Sequence, residues 1–254
     1  MNKRALITGA TAGIGYELAK LFAANHFNLV LVARDEQRLK KVAAELQAAH
    51  GIETMVLPKD LANSAAPREI SDALRETPIS VLVNNAGFGA QGAFVEEKVE
   101  LTLNMMHVNM DALVQLTYLF LQPMLARRNG RILNVASTAA FQPGPFTNIY
   151  YATKAFVFSF SVALAEELAG TGITVTTLCP GFTRTEFHER AGMQRSSRWL
   201  RVMSAQEVAR AGYQAMMNGH GIVIPGMMNK ITAAISRRLP ARFTAKIVRR
   251  MNGR

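Results

Sequence analysis

At 254 residues, with 49% hydrophobic and 19% charged side chains, the chain can bury the core of one large domain and lacks the composition of a disordered protein. Its one cysteine, Cys179, stands in an apolar stretch, which excludes a disulfide framework or a zinc cluster and fits a reducing compartment. The net charge of +11 is unevenly placed, since no Asp or Glu follows Glu207 and the chain ends as a basic tail that invites an anionic partner.

Met1-Asn2-Lys3-Arg4 runs straight into an apolar segment with no h-region of a secretory signal, so the expected place is the cytoplasm. From there, short apolar runs rich in β-branched residues recur at 4–8, 28–33, 54–57, 81–84, 131–137, 173–179 and 222–224. Near-continuous apolarity over three to seven residues, bounded by glycine or polar turns, predicts strands buried on both faces. Between the strands, Ile14, Leu18, Leu21 and Phe22, and then Leu39, Val42, Ala43 and Leu46, recur at helical spacing. This alternation predicts an α/β fold, a doubly wound parallel sheet with helices on both faces. The run at 112–126 carries Gln115, Gln122 and Pro123 and reads as a buried helix rather than a membrane span. Two units are expected: a domain over residues 1–226 and a basic amphipathic extension over 227–254.

Ligands of such sheets sit beyond the carboxyl ends of the strands, so the residues that follow strands carry the chemistry. After the first strand, Thr8-Gly9-Ala10-Thr11-Ala12-Gly13-Ile14-Gly15 forms a glycine turn that opens a helix, a geometry suited to a pyrophosphate at the helix N-terminus. A literal G-x-G-x-x-G at Gly87, Gly89 and Gly92 overlaps a later turn and is treated as accidental. After the second strand come Ala33, Arg34 and Asp35. Alanine removes the acid that would repel a 2′-phosphate, and Arg34 offers a planar fork for one, which favours NADP(H) over NAD(H). Asp35 argues the other way unless it caps the helix that begins at Glu36. Ser137 ends its strand, and Tyr150 lies one helical turn before Lys154, whose cation can favour the phenolate. Tyr151 is also within reach of Lys154, at the i+3 spacing. Asn109 stands in an otherwise apolar helix, where a back-bonded or interface amide is the ordinary explanation.

In chain order, Thr8-Gly9 through Gly15, Asn84-Asn85-Ala86-Gly87, Ser137, Tyr150-x-x-x-Lys154 and Pro180-Gly181 resemble the short-chain dehydrogenase/reductase family, over about residues 3–226. The chain is also similar to the bacterial general reductases of that family that carry a basic C-terminal extension. The resemblance implies a Rossmann-like fold and hydride transfer between NADP(H) and a carbonyl or secondary alcohol. It implies Tyr150 as acid/base, with Lys154 beside it, Ser137 on the substrate oxygen, and Asn109 holding a water that leads to Lys154. For the cofactor it implies the loop residues Thr8, Gly9, Gly13, Ile14 and Gly15, then Arg34, with Asp60 and Leu61 at the adenine. Asn85, Ala86 and Gly87 follow at the adenosine ribose, with Tyr150, Lys154, Pro180, Gly181 and Thr183 toward the nicotinamide. A homodimer or homotetramer is implied through helices expected over 101–128 and 150–168.

Phe88, Phe141, Phe146, Phe182 and Phe187 suggest an apolar substrate, and the long connection over 185–203, with Arg190, Arg195, Arg198 and Arg201, reads as a lid. The five histidines form no ligand pattern, so no metal is expected; no hydrolase elbow, phosphate-binding NTPase motif or nucleic-acid motif is present. Two rivals remain: a non-catalytic dinucleotide-binding regulator or scaffold, disfavoured by the Ser137, Tyr150 and Lys154 set, and an NAD-dependent alcohol dehydrogenase, kept alive by Asp35. In the tail, Met228, Ile231, Ile235 and Leu239 form one apolar stripe. Beyond Pro240, Phe243, Ile247, Val248 and Met251 form another, opposite Arg242, Lys246, Arg249 and Arg250. This is the pattern of a peripheral membrane helix at the inner membrane face, or of helices packed back on the domain beside the substrate.

Overall fold

The computed structural model describes residues 3–192 and 202–252, apart from the side chains of His188 and Arg190. A seven-stranded sheet, parallel throughout, forms the centre. Its strands are β1 (Arg4–Thr8), β2 (Asn28–Ala33), β3 (Thr54–Pro58), β4 (Val81–Asn84), β5 (Gly130–Val135), β6 (Ile173–Leu178) and β9 (Ile222–Val223). They stand in the order β3-β2-β1-β4-β5-β6-β9. A small parallel pair, β7 (Thr183–Arg184) and β8 (Met203–Ser204), lies apart from it. The winding reverses between β1 and β4, and a crevice opens there beyond the strand ends.

The period of two along each strand divides its side chains between the sheet's faces. Ala5, Ile7, Leu29, Leu31, Val81 and Val83 pack on one side with α1 (Gly13–Ala24), α2 (Glu36–His50) and α8 (Ala205–Met217). Leu6, Val30, Val32, Leu82 and Ile132 pack on the other with α3 (Ala66–Ala73) and α5 (Ala112–Ala126). Phe22, fully buried, meets Phe27 and Tyr213 edge-on at 5.1 and 5.0 Å. Truncating it to alanine would cost ~3–5 kcal/mol. Asp35 caps α2, its carboxylate accepting from the Arg38 amide at 2.9 Å.

Two local features differ from the sequence expectations. The helix expected over 101–128 is α4 (Val99–Met106), a wide turn over His107–Asp111, and α5. Ser137 lies beyond the end of β5, where it caps a short 3-10 turn, Thr138–Phe141. The last two helices, α9 (Met227–Ser236) and α10 (Ala241–Met251), turn back over the carboxyl side of the sheet. Ala233 joins Leu113, Phe141, Val157 and Cys179 in a third, smaller core. Asn252 donates to the Pro145 carbonyl at 2.8 Å, and Gln91 donates to the Asn252 carbonyl at 2.8 Å.

Candidate active site

A cleft of ≈ 1130 Å³ runs along the carboxyl ends of the strands, from Arg34 and Asp60 at one end to the tail helices at the other. The glycine turn forms its floor. Gly9 takes φ 66°, which an L side chain rarely adopts, and a Cβ there would press on the Asn85 amide at 2.8 Å. A side chain at Gly15 would collide with the Gly9 carbonyl and the Asn85 amide, so α1 can start against the turn only because both positions are bare. Thr8 does not face the cleft as a ligand would. Its hydroxyl accepts from the amides of Asn85 and Ala86 at 3.0 Å each and donates to the Val83 carbonyl, stitching the end of β1 to that of β4. Asn85 reinforces the seam, its side chain donating to the Thr8 carbonyl at 2.9 Å.

The cradle fits a dinucleotide on the structure's own terms. The start of α1 has no side-chain cap and no acid in its first turn, so its amides face the cleft unopposed, and Gly13 and Ile14 line it there. Arg34, Arg38 and Lys59 gather at the far end, near the exposed Asp60 and the buried Leu61. Asp35 is spent on its cap and on Arg38, at 3.9 Å, and Arg38 also reaches Glu186 at 3.3 Å. Arg38 and Lys59 escaped the sequence reading. The signals were there: Arg38 stands in the first turn of the helix that follows Arg34, and Lys59 follows a strand end.

At the other end Ser137, Tyr150 and Lys154 line the same cleft. The Ser137 hydroxyl accepts from the Ala139 amide at 3.1 Å and donates to the Pro180 carbonyl at a long 3.4 Å. Tyr150 and Tyr151 open α6 (Asn148–Glu167), with Tyr150 edge-on to Tyr151 and tilted against Phe187 at 5.4 Å. Burial pushes the Tyr150 phenol upward from its usual range, its hydrogen bond with Ser137 opposes this, and Tyr151 adds to the rise. Lys154 lies buried beneath, donating to the Val135 carbonyl at 2.8 Å, its ammonium 5.8 Å from the Tyr150 ring centre. Burial lowers Lys154 to about 8, partly countered by Cys179. Cys179 itself is pushed up to about 12 by burial, which keeps it an inert core thiol.

Asn109 sits in the wide turn, buried, with its side chain fully engaged. Its amide donates to the Phe88 carbonyl and the Thr153 hydroxyl, both at 3.0 Å, and its oxygen accepts from the Phe88 amide at 3.1 Å. A Cβ on Gly87 would sit 3.0 Å from the Asn109 oxygen and 3.3 Å from the Lys154 ammonium, so these three residues adjoin. Ala86 and Gly87 line the cleft, as do Pro180, Gly181 and Thr183 on the opposite wall. The Thr183 hydroxyl donates to the Gly181 carbonyl at 3.0 Å.

Of the five phenylalanines singled out in the sequence, Phe88, Phe182 and Phe187 line the cleft. Phe141 belongs to the small core, edge-on to Phe158, and Phe146 is a backbone-turn residue at φ 66°. The tail supplies a wall, as expected of helices packed back on the domain beside the substrate: Asn229, Ala233, Ser236, Thr244, Val248 and Asn252 all line the cleft. Arg195, Arg198 and Arg201 lie outside the described residues, as do the side chain of Arg190 and the 193–201 part of the expected lid. Among the described residues no group of three or more His, Cys, Asp or Glu could hold a metal ion. No described helix is long and apolar enough to cross a membrane.

The model of the short chain dehydrogenase family matches residues 3–196. Among curated proteins, the ketoacyl reductase HetN of a Nostoc species is 31% identical over 243 residues, covering 94% of this chain and 80% of that protein. Among solved structures, a short-chain dehydrogenase from Sphingobium yanoikuyae in complex with NADPH superposes with a TM-score of 0.84 at 32% identity, over 94% of this chain and 96% of its own. One from Burkholderia phymatum in complex with NAD gives a TM-score of 0.82 at 27% identity, with 92% of each chain covered.

Proposed function

This chain belongs to the short-chain dehydrogenase family as an NAD(P)-dependent oxidoreductase of carbonyl and alcohol groups, and we propose that it works with NADP(H) on an apolar carbonyl compound. The observation that carries the proposal is the convergence of Ser137, Tyr150 and Lys154 on one cleft with the glycine turn and a basic far end. Arg34 presents a planar fork to a 2′-phosphate, and Arg38 adds a second on leaving its exposed pair with Glu186, while Asp35 is occupied as a helix cap and Lys59, paired with Glu69, lies beside them. The NAD-bound relative keeps the alternative open to test.

When bound, the reduced nicotinamide supplies a hydride to the carbonyl carbon, and the oxidised one takes it back from the alcohol. Ser137 turns its hydroxyl from the long Pro180 bond onto the substrate oxygen and polarises it. Tyr150, held as a phenol by burial, gives its proton to that oxygen. The phenolate left behind is stabilised by the Lys154 cation. Asn109 orders the wall at Phe88 and Thr153 through its side chain. Its amide is therefore already used, and a water leading toward Lys154 would be held from the backbone of the wide turn.

Residues 1–226 form the catalytic unit in this reading, and the 227–254 extension closes its substrate side. Phe88, Phe182 and Phe187 with the tail wall suit an apolar substrate, a class to which the acyl chain of a ketoacyl reductase's substrate also belongs. The working unit is a two-fold dimer through α5 and α6, whose outer faces expose Tyr118, Phe156 and Val162, with Phe156 stacked on Phe160 at 6.0 Å. The enzyme works in the cytoplasm, at the inner membrane face.

The test is nicotinamide absorbance with NADPH and NADH against aldehydes, ketones, quinones and 3-oxoacyl thioesters. Turnover with NADPH on the more apolar members is expected. NADPH bound tightly with no turnover of any carbonyl would favour the scaffold reading, and equal rates with NADH would remove the cofactor assignment.

A further inference from the structure

The tail helices are amphipathic in an inverted sense. On α9 the residues turned toward the domain are small or polar: Asn229, Ala233 and Ser236 recur at helical spacing and line the cleft. Asn229 donates to the Pro225 carbonyl at 2.7 Å, and Ser236 hydrogen-bonds Gln142. The outward side of α9 is apolar, with Met228 57%, Ile231 44% and Ile235 52% exposed. A helix folding only for its own domain would place these three inward. On α10, Thr244 and Val248 are buried, while Phe243 and Ile247 remain 53% and 40% exposed on one flank. Opposite the buried side stand Arg242, Lys246, Arg249 and Arg250, all exposed.

We propose that the outward faces of α9 and α10 dock on an anionic lipid bilayer and set the rim of the cleft against it. This gives the inner-membrane placement proposed above a definite surface. Charge complementarity selects the occupant. The two helices and their link carry seven cations and no acidic residue among the described positions, 227–252, so a surface that is both negative and apolar beneath satisfies both side-chain classes at once. A second copy of this chain would instead bring seven like charges against seven around a two-fold axis that pairs this face with itself. The same arrangement gives the substrate a route. Ile235, Leu239 and Ile247 are both outward-exposed and part of the cleft lining, so a molecule dissolved in the bilayer reaches the cleft past apolar side chains without crossing water.

Co-sedimentation of the full chain with phosphatidylcholine vesicles, with and without phosphatidylglycerol, tests this. Binding should require phosphatidylglycerol and weaken with added salt. The double variant Arg249→Glu and Arg250→Glu should bind at least about twenty-fivefold more weakly, about fivefold for each cation removed. The triple variant Met228→Ser, Ile231→Ser and Phe243→Ser should lose binding while keeping its rate on a water-soluble carbonyl, because none of the three lines the cleft. If the triple variant fails to fold, the charge-reversal pair decides alone. No binding of the unaltered chain to phosphatidylglycerol vesicles at low salt would overturn the proposal. So would a fall in molecular mass by light scattering in the triple variant, which would make the face a contact between copies. Neither result bears on NADPH turnover, so the catalytic reading is judged separately.

Discussion

The Lys154 ammonium donates to the carbonyl of Val135 at 2.8 Å, a backbone oxygen at the end of β5, and lies 4% exposed. A cation so placed is costly. Its pKa falls from 10.5 to about 8 through burial, so the unfolded chain binds more protons than the native one between those values. Stability from this group therefore rises with pH across that window, and below about 8 the full penalty of about 3 kcal/mol stands. Urea unfolding of the native chain and of Lys154→Met at a series of pH values should show the difference shifting toward the native chain by about 3 kcal/mol between neutrality and the upper value. A difference that stays flat with pH would contradict the assignment.

The same pKa bears on the rate. Carbonyl reduction should decline as pH rises through about 8, as Lys154 loses its proton and the phenolate loses its cation. A pH–rate profile of kcat checks this. A rate still climbing at pH values well above that point would remove Lys154 from the proton path.

Replacing Tyr150 by phenylalanine should lower kcat about a hundredfold or more and leave the Kd for NADPH nearly unchanged, because the hydroxyl acts chiefly on the reacting oxygen. Tyr151→Phe should retain most of the rate, since the Tyr151 hydroxyl is engaged with Gln142 rather than Ser137. Steady-state kinetics with fluorescence titration of NADPH separate the two. A dead Tyr151→Phe with an active Tyr150→Phe would exchange their roles.

Arg34→Asp should weaken NADPH at least tenfold relative to NADH, the loss of one charge-assisted contact at ~1.5–3 kcal/mol. Arg38→Ala should act in the same direction. It also breaks the pair with Glu186, which by itself should change little, since both side chains are 46% exposed. An unchanged ratio of the two cofactors' kcat/KM in both variants would contradict the 2′-phosphate site.

Tyr118→Glu with Phe156→Glu should halve the mass measured by light scattering at micromolar concentration. Both are large apolar side chains left 66% and 41% exposed on the outer faces of α5 and α6. A mass that is monomeric before the substitutions would dispose of the dimer.

How far the sequence disclosed all this depended on the range over which each signal acts. The strands were legible because burial on both faces leaves a run without polar interruption, as Leu29 to Val32 shows. The glycine turn and the Tyr150–Lys154 spacing were legible for a similar reason, since each is a local geometry written in adjacent residues. Thr8 was placed at the site but its task was not: whether its hydroxyl faced a ligand or Asn85 depends on a partner 77 residues away. The buried ladder from Thr117 through Asn84 and Asn134 to Ser161 was missed for the same reason, since polar residues within strands carry no mark of pairing across the sheet. The tail's periodicity was readable, but its direction was not. A helical stripe shows which residues share a side, and only the packed structure shows that Ala233 faces in and Ile231 faces out.

The wide turn at His107–Asp111 sets what this helix can tolerate in length. Each residue added to or removed from a regular helix rotates everything beyond it by about 100°. Here such a change would carry Leu116, Phe120 and Met124 off the sheet. A wide turn already holds one residue more than a regular one, so losing a residue within it would tighten the backbone and leave the following side chains nearly in phase. Loss of a residue there would keep the core of α5 and give up the seat of Asn109, so fold and site part company at a single position.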